Sequence, residues 1–146
     1  MTELLSDQYK EGASTYLQLG GESGVRKLVN RFYELMDTLS EARVVRLMHP
    51  LSLADSADSL FKFLSGWFGG PPLFQLERGY PRLRMRHAPF AVSIVERDEW
   101  MLCMRQAIDE QVNDIALNSK LQRMFSEMAD HMINTDGQSA GIAAPV

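Results

Sequence analysis

The run Arg82-Leu83-Arg84-Met85-Arg86-His87-Ala88-Pro89-Phe90 alternates cations with apolar side chains and leads into an imidazole. Pro89 follows two residues after His87 and restricts the backbone there. Three arginines around one histidine, interleaved with Leu83 and Met85, make little sense as packing alone. The pattern suits the edge of a flat apolar ligand that carries acidic groups at its rim.

Working outward from this run, the chain reads as helical. Val25, Leu28, Val29, Phe32, Tyr33 and Met36 recur at the spacing of one buried helix face, which predicts a helix over 22–37. A second stripe, Leu53, Ala57, Leu60, Phe61, Leu64 and Phe68, predicts a helix over 52–68, stopped by Gly69-Gly70-Pro71-Pro72. Trp100, Cys103, Met104, Ala107 and Ile108 mark a helix over 96–111. Leu117, Leu121, Met124, Phe125, Met128 and Met132 mark a last one over 114–133. Shorter helices are expected at 9–18 and 40–48, and the arginine–histidine run reads as a short helix or turn. Residues 73–81 read as a loop, and Ala91 to Val95 is the one weak strand candidate. Residues 1–135 are expected to form a single all-α domain, and 136–146 a mobile tail. So long a loop is unusual in a simple bundle, which suggests that something besides helix packing fills part of the interior.

Bulk composition bounds the possibilities. The 146 residues are 45% hydrophobic and 23% charged, ordinary for a soluble domain with its own core. A net charge of −4 argues against a nucleic-acid partner. No apolar run approaches bilayer-spanning length, so no membrane partner is expected. The first residues lack the basic start and apolar run of a signal peptide, and the single cysteine, Cys103, fits a reducing compartment; the expected location is cytoplasmic. The nine methionines read first as a soft core and second as lining for a large ligand.

Chemistry narrows to the histidines. Only His49, His87 and His131 are present, with no spacing that would build a multi-histidine metal cage. Gly20-Gly21-Glu22-Ser23-Gly24 lacks the lysine of a phosphate loop and reads as a turn between helices. Taken alone, His87 would more often be a local hydrogen-bonding residue near a helix end. Its neighbours favour another role. A neutral imidazole can hold haem iron through one nitrogen while the other N–H bonds a carbonyl. Arg84 and Arg86 could then pair with the propionates, or form a solvated basic face.

Several segments, in order, resemble a known family. Leu19-Gly20-Gly21-Glu22, Phe32-Tyr33, Phe63-Leu64-Ser65-Gly66-Trp67-Phe68-Gly69-Gly70-Pro71, the run Pro81 to Phe90, and Glu96-Arg97-Asp98-Glu99-Trp100 resemble the group II truncated haemoglobins. The resemblance covers roughly Tyr16 to Asn134. It implies a globin-like, two-over-two helical sandwich around haem b. It implies that His87 is the proximal iron ligand and that Tyr33, His49 and Trp100 face the bound ligand on the distal side. It puts Ser56, Leu60, Phe63, Leu64, Phe74 and Phe90 around the haem, with Met104 and Met128 as further wall candidates. Arg84 and Arg86 remain the propionate candidates. Tyr80 departs from the family's usual Gly-His-Pro triplet. His49 or Tyr33 is a candidate for the sixth iron position when no ligand is present. Cys103 and His131 are given no role.

The resemblance implies binding of dioxygen, NO, CO or peroxide. It also permits NO dioxygenase or peroxidase-like detoxification, which needs an external electron-donating reductase. The alternative is an oxygen carrier, scavenger or sensor without turnover. A helical interaction module without a cofactor is the reading left if the resemblance is ignored.

Overall fold

The computed structural model describes residues 14–135. The expected mobile tail at 136–146, and the first residues of the 9–18 helix, lie outside them. The described residues form eight α-helices and no strand: α1 Thr15–Leu19, α2 Gly21–Thr38, α3 Arg43–Leu47, α4 Ala54–Trp67, α5 Leu73–Arg78, α6 Leu83–His87, α7 Ile94–Gln111 and α8 Ile115–Met132. A 3-10 turn, Ser40–Ala42, precedes α3. None of these helices is long and apolar enough to cross a membrane.

Two helix pairs build the frame. The first pairs α2 with α4 and the second pairs α7 with α8; α2 packs across onto α7. The predicted stripe of α2 is the one buried, from Val25 through Phe32 and Tyr33 to Met36. Phe125 of α8 stands at the junction, in ring contact with Trp67, Phe68 and Trp100. The architecture is the all-α, globin-like sandwich expected.

Helix ends follow local chemistry. Ser93 and Glu96 form a capping box: Val95 donates its N–H to Ser93 Oγ at 3.2 Å and Ser93 donates its own to Glu96 Oε1 at 2.6 Å. Ile94 and Val95 therefore open α7, which corrects the reading of Ala91 to Val95 as a strand. Asp114 caps α8 through the Leu117 N–H at 2.9 Å.

The reading of 73–81 as a loop is also corrected. Leu73–Arg78 is a helix whose span is too short to display a period. Pro72 starts it and Gly79, at φ +81°, ends it. Phe74 is buried, and Lys62 of α4 pairs with Glu77 to hold the helix in place.

Glycine is required where α1 meets α2. A Cβ on Gly24 would lie 1.8 Å from the backbone oxygen of Leu19. Gly24→Ala is therefore expected to cost about 2 kcal/mol or more, because backbone must move. A thermal melt of the variant checks this; an unchanged midpoint would show that the α1–α2 turn yields freely.

Candidate functional site

A cavity of about 470 Å³ opens between α4, α5, α6 and the α7–α8 pair. Its volume lies in the range of cofactor pockets. Of the residues singled out in the sequence, Tyr33, His49, Ser56, Leu60, Phe63, Phe74, Arg86, His87, Phe90, Trp100 and Met128 all line it. Leu64 and Met104 do not; both are fully buried in the helix–helix core. Leu64 is one residue on from Phe63, so its side chain leaves the helix on a different face.

His87 closes α6. Its Nδ1 lies 2.8 Å from the Leu83 carbonyl oxygen, one helical turn back. A carbonyl only accepts, so Nδ1 donates, and in the neutral ring the free lone pair is left on Nε2. That is the tautomer a metal ligand needs. Phe90 lies against the ring, with centroids 6.4 Å apart.

His49 repeats the arrangement. Its Nδ1 donates to the Val45 carbonyl at 2.8 Å, so the neutral ring also keeps a bare Nε2. In this form Nε2 accepts and cannot donate. Burial first, then nearby Arg46 and His87, hold its pKa below the usual histidine value, against a raising contribution from the Val45 carbonyl. Tyr33 stands edge-on to it, with centroids 6.0 Å apart. Burial drives the Tyr33 phenol well above its usual pKa, so it stays a protonated donor. Trp100 packs on Phe32 at 4.9 Å and on Phe125 at 5.8 Å, which fixes its indole on the cavity wall. Neither the Tyr33 hydroxyl nor the Trp100 N–H has a hydrogen-bond partner among the described residues. Tyr33 and Trp100 thus bring unspent donors to the site, as Ser56 Oγ and the buried Arg97 Nε also do, beside the lone pairs of two neutral imidazoles.

The depressed His49 pKa has a stability consequence in the haem-free protein. Unfolded histidine takes up its proton near pH 6.5, and folded His49 only at lower pH. Stability is full above that value and is lost as pH falls toward the folded pKa. Melting temperature should therefore drop as pH falls below about 6.5, and His49→Gln should flatten the drop. Parallel curves for the two proteins would count against it.

The arginines divide their work. Arg86 lines the cavity, but its Nε donates to the Pro81 carbonyl at 2.6 Å and one terminal nitrogen to the Arg78 and Tyr80 carbonyls at 3.1 and 3.3 Å. Arg84 is not on the cavity wall. It donates to the carbonyls of His131 and Ile133 at 2.6 and 3.2 Å, where α8 ends. Sequence reasoning missed two cavity arginines. Arg78, in the stretch read as loop, lies 5.4 Å from the Phe74 ring and bonds Ser59 Oγ at 2.8 Å. Arg97 pairs with Asp130 at 2.6 Å; it stood within the Glu96–Trp100 segment but was given no role there. Cys103 is buried away from the cavity, and burial pushes its thiol up to about 11, so it is an inert packing residue.

These features fit an iron porphyrin. The cavity wall is mostly apolar, with Leu60, Phe63, Phe74 and Phe90 among its residues, and it offers an unprotonated imidazole nitrogen from His87. Tyr33 and Trp100 bring uncharged donors to the same space, and Arg78, Arg86 and Arg97 on its wall could pair with acidic substituents.

The comparisons with known proteins agree. The family model described as bacterial-like globin matches residues 14–134. The group 2 truncated hemoglobin YjbI of Bacillus subtilis is 32% identical over 114 residues, covering 78% of this chain and 84% of that protein. The cold-adapted truncated hemoglobin of Pseudoalteromonas haloplanktis superposes with a TM-score of 0.82 at 43% identity, over 84% of this chain and 98% of that one. The group II 2-on-2 hemoglobin of Agrobacterium tumefaciens gives 0.81 at 41% identity, over 83% and 94%. With a matching helical sandwich, a cavity suited to an iron porphyrin and similarity over most of its length, the chain belongs to the bacterial-like globins, a haem- and gas-binding family, and to their group II truncated, two-on-two branch.

Proposed function

We propose that the chain holds haem b in the 470 Å³ cavity, with His87 as proximal iron ligand, and detoxifies NO or related reactive species. The observation that carries this reading is the opposition of chemistry across one cavity. A bare imidazole nitrogen of His87 shares it with two unspent donors, Tyr33 and Trp100. When bound, haem iron would supply the site for a diatomic ligand and the one electron needed to turn dioxygen plus NO into nitrate. An external reductase would return that electron.

The chain's own residues divide the remaining tasks. Leu83 holds the His87 proton at Nδ1 and so keeps Nε2 basic. Tyr33 and Trp100 stabilise negative charge that develops on the ligand, by roughly 1–3 kcal/mol for each hydrogen bond. When no gas is bound, neutral His49 would offer Nε2 either to the Tyr33 hydroxyl, which a bound gas would then have to win over, or to the iron as a sixth ligand. Leu60, Phe63, Phe74 and Phe90 exclude water, which strengthens each polar contact. Arg86 and Arg78 stand beside the cavity for the propionates. Donors of this kind slow ligand release, which suits turnover better than delivery.

Stopped-flow mixing of the oxygenated ferrous protein with NO tests the reading. Rapid conversion to the ferric form with one nitrate per haem is expected. Oxygenated protein that survives NO would overturn detoxification and leave a carrier or scavenger.

A further inference from the structure

The position of His87 is not secured by its own helix. α6 is five residues long and buries none of them. A single turn is far too short to hold itself. It is held by side-chain donors reaching backbone carbonyls. Arg86 gathers the carbonyls before the helix, and Arg84 ties the helix to the end of α8.

The densest set of contacts comes from Asn134, two residues beyond α8. Its Oδ1 accepts the Val92 N–H at 2.9 Å. Its Nδ2 donates to the carbonyls of Phe90 at 2.9 Å and His87 at 3.3 Å. Its own backbone N–H donates to the Val92 carbonyl at 2.9 Å. One side chain thus commits its acceptor and both donors to the segment between the imidazole and α7. Only an amide of this length can do so. Aspartate would set negative charge against two carbonyls, and alanine would make none of the three bonds.

We propose that Asn134 is a positioning residue for the haem iron, acting through His87. It clasps the His87–Val92 segment to the end of α8 and so sets the tilt and distance at which Nε2 meets the metal. It rests on the assignment of His87 as iron ligand. Asn134 does not line the cavity, so its effect reaches the iron only through the backbone of that segment. Outer-shell groups that orient a ligand are worth about 10–100-fold in metal affinity.

The test compares wild type with Asn134→Ala and Asn134→Asp in the haem-loaded protein. The iron–imidazole stretching band is read by resonance Raman as CO is photodissociated from the ferrous form. Haem transfer to excess apomyoglobin is timed in parallel. The band should shift and broaden in Asn134→Ala, with transfer about tenfold faster, and change further in Asn134→Asp. Should Asn134→Ala fail to fold, Asn134→Ser, a milder cut, carries the comparison. His87→Gly serves as reference and should abolish the band. If it does so while the Asn134 variants keep wild-type band and transfer rate, the clasp is overturned and the ligand assignment stands. If His87→Gly retains the band, the ligand assignment fails and the role of Asn134 falls with it.

Discussion

Replacing His87 by glycine is expected to weaken haem retention by more than about 100-fold, and added imidazole is expected to restore it. The magnitude follows from comparison. Partners that merely orient a metal ligand are worth about 10–100-fold, so the ligand itself should exceed them. Rescue follows from geometry, because truncation leaves space for a free imidazole beside Phe90 and Leu83. The fold should survive, since α6 contributes no buried residue to the core. Haem transfer to apomyoglobin, with and without imidazole, measures the effect. Retention unchanged from wild type would remove His87 from the iron.

The second large effect is expected on ligand release. Tyr33→Phe removes one hydroxyl and keeps the ring against Phe32, at 4.8 Å between centroids. A hydrogen bond to a ligand bearing charge is worth about 1.5–3 kcal/mol, which converts to roughly 10–150-fold faster dissociation. Trp100→Phe should act in the same direction while leaving an aromatic ring to pack on Phe32 and Phe125. The two changes together are expected to depart from additivity, because both donors face one ligand. Displacement of dioxygen by CO, followed by stopped flow, reports the rates. Dissociation at the wild-type rate in Tyr33→Phe would show that its hydroxyl is spent elsewhere.

Most of the fold was legible because the long helices carry a repeated apolar stripe. Val25 to Met36 and Leu117 to Met132 each span several turns, enough for a period to stand out. What stayed illegible was short. Leu73–Arg78 holds fewer than two turns, and its helical state depends on Phe74 and on the ion pair from Lys62. The strand reading at Ala91 to Val95 failed for a different reason. Three β-branched residues suggested a strand, yet Ser93 and Glu96 already spelled a capping box.

The site was legible by residue type and less so by role. His87, Tyr33 and Trp100 line one cavity. Arg84 and Arg86 share the same motif, but their separate duties depend on which carbonyls each guanidinium meets, and a sequence does not display that. Asn134 lay beyond every pattern, since its partners are more than forty residues away. The tautomer of His49 was equally hidden, because it depends on the Val45 carbonyl one turn earlier.

That tautomer has a quantitative consequence. His49 and His87 each spend Nδ1 on the carbonyl four residues back, so both enter the cavity as bases. If His49 takes the sixth iron position proposed for it, an arriving gas would compete with an internal nitrogen. Observed affinity becomes intrinsic affinity multiplied by the fraction of time that position is vacant. Nine-tenths occupancy by His49 would weaken apparent gas binding about tenfold without altering a single contact to the gas. Discrimination between gases would be untouched, because every gas meets the same internal rival.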